Sequence, residues 1–397
     1  YGITKALRVY YCENGTDTIL GTASDIIVDP NTVLNKIKNN TALNEALTDI
    51  LTERGVIIGE DGITVANVSA LQEFTIDGTE YPSLTSLSGI SEISSLKRLT
   101  LKNLNLTSIE GIEACTLLNY LQLENVQIEN YTPLGSTFNL QYLYLYNPPS
   151  NEEINKLGAG LANSNLSKLE YFGIYGYKPE LYTSGSTTAH LTRTFNNKSN
   201  ISDISGLNKI SQETKNAVKY MYLNNNQISN INALSGFNNL YLVYLMCNSN
   251  LISLDGLENH INLKEVYAQA CNFSTITGLS GCTALQRLTA QSSSNLNSLS
   301  GLESATNLNL LYAFNCNLTD ISALNGKKAM IECSMYGNEN LENVSSLQTC
   351  TALDILYLES NENMRVDDVI LIEPILLGCT AYTIPSKYLK YFSSVTM

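Results

Sequence analysis

The sequence predicts an α/β fold of the solenoid type, in which short strands stack into one parallel sheet and irregular segments connect them. The first reason is a fixed period, because Leu99 and Leu101 recur 22 residues later as Leu121 and Leu123. The second is that the apolar residues alternate there, as in a strand, and then change to every-third spacing. The third is that a unit of this size cannot bury its own apolar face and must stack on a neighbour.

The repeating unit has two halves that are typical of different structures. Its strand half occurs in twelve readable copies between Phe74 and Leu358, mostly at steps of 22 or 23 residues, and Phe195 marks a possible thirteenth. Its return half has apolar residues at every third position, as at Leu106 and Ile109, with small polar residues between them. This spacing favours a short 3₁₀ or irregular return over a long α-helix.

Caps are expected at both ends, because an exposed first coil would leave an apolar end and an unpaired strand edge. We assign residues 1–67 to an N-terminal segment with a helical cap, 68–364 to about 12–13 repeats, and 365–397 to a C-terminal cap. The cap helix is expected to begin at Asp29-Pro30-Asn31 and to end near Gly55. The sequence leaves open whether residues 1–23 form further strands before this helix.

Two insertions interrupt the repeats, near residues 148–167 and 178–199. The first contains a sequence typical of a short helix that begins at Asn151, and the second is rich in Thr, Ser and Asn. Long loops in a compact array often carry function, and a tolerated insertion without function is the equal alternative.

One copy of the repeat connects the chain to a known family. The segment from Val218 to Leu234 has the pattern LxxLxLxxNxIxxIxxL and resembles the 22-residue repeat of internalins and related bacterial surface proteins. The resemblance implies a right-handed leucine-rich-repeat solenoid, or horseshoe, with the parallel sheet on its concave face and short 3₁₀ or irregular returns on its convex face. It also implies a helical N-terminal cap and recognition of proteins at a cell surface, without indicating which protein is bound.

The asparagine of this pattern is expected to satisfy backbone groups at the bend after each strand. It is present in four copies, replaced by Cys or Ser in three, and replaced by Leu or Val in two early copies. These positions are Asn226, Asn248, Asn338 and Asn361, then Cys271, Ser293 and Cys316, then Leu104 and Val126. We therefore expect the ladder of bonds at this bend to be weaker in the early repeats.

Charge and composition exclude several classes of partner. The formal net charge of −14 and the pI of about 4.7 disfavour nucleic acid and anionic membranes, which require clustered cations. No apolar run approaches the roughly 18 residues that a membrane span requires. Because the sequence begins with Tyr1 rather than Met, we expect that an export signal has been removed and that the protein is extracellular or on the cell surface.

The sequence offers little material for catalysis, and we expect no enzyme activity, cofactor or metal. Its two histidines, His190 and His260, have no convincing catalytic partner, and His260 occupies a repeat position that Cys fills elsewhere. Asp and Glu pairs lack the alternating oxygen ligands of a dedicated calcium loop. The nine cysteines are expected to be reduced and mostly buried, because repeat positions dictate several of them.

Tyrosine is concentrated on the predicted concave face, where three residues of each strand project in left, middle and right columns. Tyrosine fills 13 of these 36 positions, although only 24 of the 397 residues are tyrosine, so about two would be expected by chance. Strand propensity alone predicts an even spread, whereas nine of the thirteen lie between Tyr120 and Tyr244. The candidate ligand-binding residues are Tyr120, Tyr142, Tyr144, Tyr146, Tyr171, Tyr175, Tyr220, Tyr222, Tyr244, Tyr267 and Tyr312.

These observations lead to a non-enzymatic, monomeric recognition module. It is expected to bind a surface protein of a host or neighbouring cell through its tyrosine-rich concave face. The alternative is a glycan-binding module that uses the same aromatic rings, because such rings also stack on sugars. Tyrosine anchors binding surfaces well, since it combines a large apolar area with a hydroxyl. Because these side chains are expected to face solvent, truncation of Tyr144 and Tyr222 should weaken binding and leave the melting temperature nearly unchanged.

Overall fold

The computed structural model describes residues 29–176 and 200–392 in full and residues 11–13 and 16–18 as backbone only. Its strands are β1 Tyr11–Glu13, β2 Thr16–Thr18, β3 Glu73–Asp77, β4 Arg98–Lys102, β5 Asn105–Leu106, β6 Tyr120–Glu124, β7 Gln127–Ile128, β8 Tyr142–Tyr146, β9 Tyr171–Tyr175, β10 Tyr220–Tyr222, β11 Leu242–Tyr244, β12 Glu265–Tyr267, β13 Arg287–Thr289, β14 Leu310–Tyr312, β15 Glu332–Ser334, β16 Ile355–Tyr357 and β17 Ala381–Thr383. Thirteen of these strands form one sheet. The other four pair in twos, β1 with β2 and β5 with β7.

The large sheet is parallel throughout, and its strands follow one another in chain order. Equivalent residues of successive repeats lie directly opposite each other, as Leu99 does to Leu121 and Leu143 does to Phe172. All four of these side chains are buried, with at most 1% of their surface exposed. The alternation of Leu with polar or aromatic residues therefore turns one face of the sheet into a continuous apolar core and leaves the other face as the concave surface.

The return segments are short, as the every-third spacing predicts. They contain 3₁₀ helices at Ile90–Glu92, Ile112–Ala114, Thr132–Ser136, Ser205–Lys209, Asn232–Gly236, Thr277–Leu279, Ser322–Leu324 and Ser345–Thr349. The first insertion forms helix α4, Asn151–Gly160, which packs against the return at 205–209. A Cβ atom on Gly158 would lie 1.9 Å from the Gly206 carbonyl oxygen, so glycine at this position allows the helix to pack directly against the backbone of the return. The first insertion is therefore a packed part of the solenoid and not a loose loop. The second insertion and Phe195 lie outside the described residues.

The N-terminal cap contains helices α1, Asn35–Asn39, α2, Thr41–Glu53, and α3, Val65–Val68. The expected helix start at Asp29-Pro30-Asn31 is wrong, because this segment forms a turn in which the Thr32 N–H donates to the Asp29 carbonyl at 2.8 Å. The long helix α2 begins directly after Asn40, whose side-chain oxygen accepts a hydrogen bond from the Leu43 N–H. It ends beside Gly55, where the backbone turns left-handed, as expected.

The bonds at the bend after each strand differ with the residue that occupies the asparagine position. Asn248, fully buried, donates to the carbonyls of Leu223 and Leu245 and accepts the Ile228 N–H. The Cys271 thiol donates to the carbonyl oxygens of Leu245 and Gln269, and the Ser293 hydroxyl has no partner. In the early coils, where Leu104 and Val126 replace asparagine, the short parallel pair β5–β7 satisfies the backbone instead.

The C-terminal end continues the sheet further than the repeat pattern does. Two helices, α6 at Val366–Leu371 and α7 at Glu373–Gly378, replace the return here. The remaining helix, α5 at Gln212–Ala217, lies earlier in the chain and precedes β10. Strand β17 then pairs in parallel with β16, so a thirteenth strand lies within the segment expected to form the terminal cap. Beyond it, Tyr388 is buried and donates its hydroxyl to the Met364 carbonyl at 2.6 Å.

Candidate binding surface

The concave columns arise directly from strand alternation, since the inward leucines leave their neighbours on the opposite face. All eleven candidate tyrosines lie on that face in parallel register; for example, Tyr142 lies opposite Tyr171, and Tyr222 lies opposite Tyr244. Ten of them are only half-buried, and Tyr175 is buried with 8% of its surface exposed. Much of this burial comes from the rings themselves, because nine of the eleven pack against other tyrosines in two rows.

The first row runs along the left column. The Tyr142 and Tyr171 rings are stacked with centroids 4.5 Å apart, and the Tyr171 and Tyr220 rings are stacked at 4.4 Å with planes only 7° apart. Tyr120 extends the row at one end at 6.0 Å, and Tyr241 extends it at the other end at 5.8 Å, both in tilted geometry. Five rings therefore form a line that crosses the strands.

The second row crosses the sheet obliquely. It begins in the right column with Tyr146 and Tyr175, stacked at 4.6 Å, and passes to the middle column at Tyr222, 5.8 Å from Tyr175. It continues to Tyr244 at 5.3 Å and then to Tyr267 at 4.5 Å, with interplanar angles of 13° and 8°. The change of column is possible because the Tyr175 ring leans over the middle position of its own strand.

Gly173 occupies that middle position, and its lack of a side chain is what joins the two columns. A Cβ atom at residue 173 would lie 2.5 Å from Cε2 of Tyr175 and 2.9 Å from Cδ1 of Tyr144. The ring of Tyr144 lies between the two rows, with its centroid 5.7 to 6.3 Å from those of five other tyrosines. The two rows and Tyr144 together form one surface, which we call the aromatic band: Tyr120, Tyr142, Tyr144, Tyr146, Tyr171, Tyr175, Tyr220, Tyr222, Tyr241, Tyr244 and Tyr267.

One candidate residue lies apart from the aromatic band. Tyr312 follows Thr289 in the middle column and belongs to a smaller cluster with Phe314 at 6.3 Å, while Phe314 stacks on Tyr336 at 4.4 Å. The Tyr312 hydroxyl donates to a Glu332 carboxylate oxygen at 2.5 Å. The concave face therefore carries a large aromatic surface and a second, smaller one.

Stacking decides which part of each ring a ligand can reach. Tyr171 has a parallel ring on each face, and Tyr244 does as well. Their ring edges and hydroxyl ends are what remain for the solvent. Burial raises the pKa of the Tyr144, Tyr146 and Tyr175 hydroxyls far above the ordinary value, and it raises the pKa of Tyr222 to about 12. These hydroxyls therefore remain protonated donors across the physiological range.

Charged residues at the two ends of the aromatic band contact its tyrosines. The Arg98 guanidinium lies 3.8 Å from the centroid of the Tyr120 ring and 3.6 Å from a Glu73 oxygen. At the other end the Tyr267 hydroxyl donates to Glu265 at 2.6 Å, and the ammonium of Lys264 lies 4.9 Å from the centre of the Tyr241 ring. The aromatic band itself consists of uncharged tyrosines, and charged side chains contact it at both ends.

Sequence reasoning missed several parts of this surface. Tyr241 lies one position before the left column, and Gly173 looked like a gap in the middle column. Asn224, Gln269 and Gln291 follow the band tyrosines or their neighbours in the right column and were not singled out. The sequence does contain a pattern for these three amides, because they occupy the same position of different repeats, with Met246 between the first two.

The other chemistry-bearing residues do not gather into a site in the part of the chain that the structure describes. His260 is buried, with its Nδ1 atom 3.3 Å from the Glu258 carbonyl oxygen. Residues 29–176 and 200–392 contain no group of three or more His, Cys, Asp or Glu side chains that could hold a metal ion. The eight described cysteines are free and five are buried; burial raises the pKa of Cys282 to about 11. His190 lies outside the described residues.

A parallel sheet built from one short strand per coil, with 3₁₀ returns and an apolar core between them, defines a leucine-rich-repeat solenoid. The fold is internalin-like: the crystal structure of the internalin InlF from Listeria monocytogenes aligns with a TM-score of 0.52 over 90% of this chain and 98% of that one, at 17% identity. The internalin C2 of the same species aligns over 72% of this chain and 97% of its own, at 18% identity and a TM-score of 0.41. A leucine-rich-repeat protein of Leptospira interrogans aligns over 76% and 93%, at 15% identity and a TM-score of 0.26.

The other comparisons give no match. No family model matches the chain, and no curated protein matches it. None of the helices in the described ranges is long and apolar enough to cross a membrane.

Proposed function

We propose that this protein is a non-enzymatic recognition module that binds another protein through the aromatic band, outside the bacterial cell or at its surface. The observation that carries the proposal is the continuous packing of eleven tyrosine rings, stacked or tilted against one another, on the concave face. Rings held by their neighbours lose little side-chain entropy on binding, and clustered tyrosines are typical of the central residues of protein interfaces. The internalin-like fold supports the same function, because it presents this face as an open, curved surface.

The ring geometry favours a protein ligand over a glycan. A sugar ring packs its C–H groups against an exposed aromatic face, and the stacked neighbours of Tyr171 and Tyr244 occupy both faces of those rings. Ring edges carry partial positive charge and the hydroxyls donate, so the aromatic band suits carbonyl oxygens and the faces of aromatic side chains. Both groups are plentiful on protein surfaces.

The test removes hydroxyls and keeps the stacks. The intact chain is used to isolate a protein partner from cell-surface fractions, and the affinity of the purified partner is measured for Tyr142→Phe/Tyr220→Phe/Tyr222→Phe. Each lost hydrogen bond costs about 1 kcal/mol, so the loss of three should lower the affinity by roughly a hundredfold.

The matched control is Tyr357→Phe/Tyr382→Phe/Tyr391→Phe, which removes three hydroxyls outside the aromatic band and should bind as the parent does. A purified partner that binds both triple variants equally well would contradict the proposal. A glycan array on which the parent binds, with no protein partner found, would favour the alternative.

A further inference from the structure

A row of cations runs along one edge of the concave face, beside the left column of tyrosines. Lys97, Lys219 and Lys264 each lie directly before the left column. Main-chain hydrogen bonds join successive coils at this position, since the Lys219 carbonyl accepts the Tyr241 N–H and the Tyr241 carbonyl accepts the Lys264 N–H. The parallel register therefore aligns these side chains along one edge. The cations of this edge, which we call the basic rim, are Lys97, Arg98, Lys168, Lys219, Lys264 and Arg287.

The basic rim is positively charged although the protein as a whole is acidic. From β3 to β13, the left column and the two solvent-facing positions before it contain these six cations and only three carboxylates, those of Glu73, Glu170 and Glu265. The net charge of the whole chain is −14. Five of the six cations are exposed, and Lys264 is half-buried. Such an uneven distribution of charge steers a partner of opposite sign to one part of the surface.

Three lysines of the basic rim form no ion pair within residues 29–176 and 200–392: Lys97, Lys168 and Lys264. Their contacts are with neutral groups. Lys97 Nζ donates to Gln72 Oε1 at 3.1 Å, and the Lys264 ammonium lies 4.9 Å from the centre of the Tyr241 ring. Lys168 donates to the side-chain oxygen of Asn139. A carboxylate from a ligand can therefore approach these lysines without breaking an internal ion pair.

The other three cations have carboxylates nearby. Arg98 lies 3.6 Å from a Glu73 oxygen, and Lys219 lies 2.8 Å from a Glu170 oxygen. Arg287 lies opposite Glu265 in the strand register. The three unpaired lysines are thus the part of the basic rim that offers charge to a ligand.

The spacing of these lysines indicates the kind of ligand. Lys97, Lys168 and Lys264 are three strands apart in turn, which corresponds to intervals of about 14 Å. Duplex DNA carries a charge about every 1.7 Å, so a dense polyanion would bring most of its charges against Glu170 and the rest of an acidic protein. A few Asp or Glu side chains on a protein match the sparse cations, and the left row of tyrosines beside them can contact the uncharged part of the same surface.

We propose that the basic rim binds acidic side chains of the partner protein, at Lys97, Lys168 and Lys264, while the left row of the aromatic band contacts the uncharged part of the same epitope. This inference rests on the proposed function and adds the charge of the ligand to it.

The test uses three blocked peptides of about 12 residues that are identical except for Glu, Gln or Lys at every fourth position, because four extended residues span about 14 Å. Their binding to the full chain is measured by calorimetry at about 20 mM salt, where screening is weak. The Glu peptide should bind at least fivefold more tightly than the Gln peptide, and about 300 mM salt should remove most of this preference. The net charge alone favours the Lys peptide. Tightest binding of the Lys peptide, or no preference for the Glu peptide, would overturn the inference.

A matched pair of variants separates the basic rim from the net charge. Lys97→Gln/Lys168→Gln/Lys264→Gln should bind the Glu peptide at least fivefold more weakly than the parent. The control Lys36→Gln/Lys209→Gln/Lys390→Gln changes the net charge equally at exposed positions in the N-terminal cap, a return and the C-terminal end, and should bind like the parent. Equal weakening by both variants, or by neither, would overturn the inference.

Two further measurements define the ligand class. Dextran sulfate that binds more tightly per charge than the Glu peptide, and loses that binding in the rim variant, would overturn the assignment to acidic protein side chains. A purified protein partner that is sensitive to the tyrosine variants but unaffected by the rim variant would leave the proposed function standing and overturn only this inference.

Discussion

The concave face is divided into two regions that share one backbone and differ in their side chains. From β6 to β12 the tyrosines stack in unbroken rows, whereas from β13 to β16 the middle column reads Thr289, Tyr312, Ser334 and Tyr357. The strands pair in the same parallel register in both regions. The fold therefore requires the inward apolar residues and not the tyrosines, and the aromatic band is an addition that serves another purpose.

The comparison also revises one expectation from the sequence. The outward tyrosines were expected to contribute little to stability, but Tyr175 is buried and Tyr144 contacts five rings. Stacked aromatic pairs contribute about 0.5–1.5 kcal/mol each beyond their buried area. The aromatic band should therefore stabilise the middle of the solenoid as well as bind.

The largest effect is expected from Gly173→Ala, which breaks the junction of the two rows. The added Cβ would lie 2.5 Å from Cε2 of Tyr175, whose ring is held between those of Tyr146 and Tyr222. Overpacking of this kind should lower the free energy of unfolding by about 2–3 kcal/mol, which urea unfolding would measure. The circular dichroism of the stacked tyrosines should also change. Gly378→Ala, where a Cβ would contact nothing within 4 Å, should not reduce stability.

Truncation of single tyrosines should distinguish the two regions next. Tyr144→Ala removes a ring that five others contact, and we expect it to cost about 2 kcal/mol in the free energy of unfolding. Tyr357→Ala removes a half-buried tyrosine outside the aromatic band and should cost less than half as much. Equal losses of stability would show that the rows do not stabilise the fold.

Alkaline pH should weaken the aromatic band progressively. Burial and neighbouring groups raise the pKa of Tyr222 and Tyr267 from 10.0 to about 12, so between these values the unfolded chain is ionised at these positions while the folded chain is not. Their contribution to stability is fully present below pH 10 and is lost as the pH rises through about 12. The phenolate absorbance of these two tyrosines should then appear late and together with unfolding. Titration of every tyrosine near pH 10 in the folded protein would contradict the packing.

The smallest effect on stability is expected from removing hydroxyls. Tyr142→Phe/Tyr220→Phe/Tyr222→Phe keeps every ring of the stacks, so its free energy of unfolding should stay within about 0.5 kcal/mol of the parent value. The free energy of unfolding of this variant should be measured by urea unfolding alongside its binding assay, so that a loss of binding can be separated from a loss of stability. A loss of several kcal/mol would mean that the hydroxyls serve the fold.

The sequence predicted the strand positions well, because leucines that must face the core recur at a fixed interval. It placed the start of the cap helix too early, since Pro30 suits a turn as well as a first helical turn. It missed β17, because Tyr382 takes the inward position that leucine marks elsewhere. The stacking rows and the role of Gly173 could not be predicted, since they depend on which way the Tyr175 ring leans.

Footprinting of the tyrosines in a complex with the purified partner would test the central claim most directly. Hydroxyl-radical labelling followed by mass spectrometry reports the accessibility of each ring with and without the partner. The account predicts that Tyr142, Tyr220 and Tyr222 become protected while Tyr357 and Tyr391 are labelled as before. Protection confined to the convex side or to the caps, with the aromatic band labelled equally in both states, would contradict it.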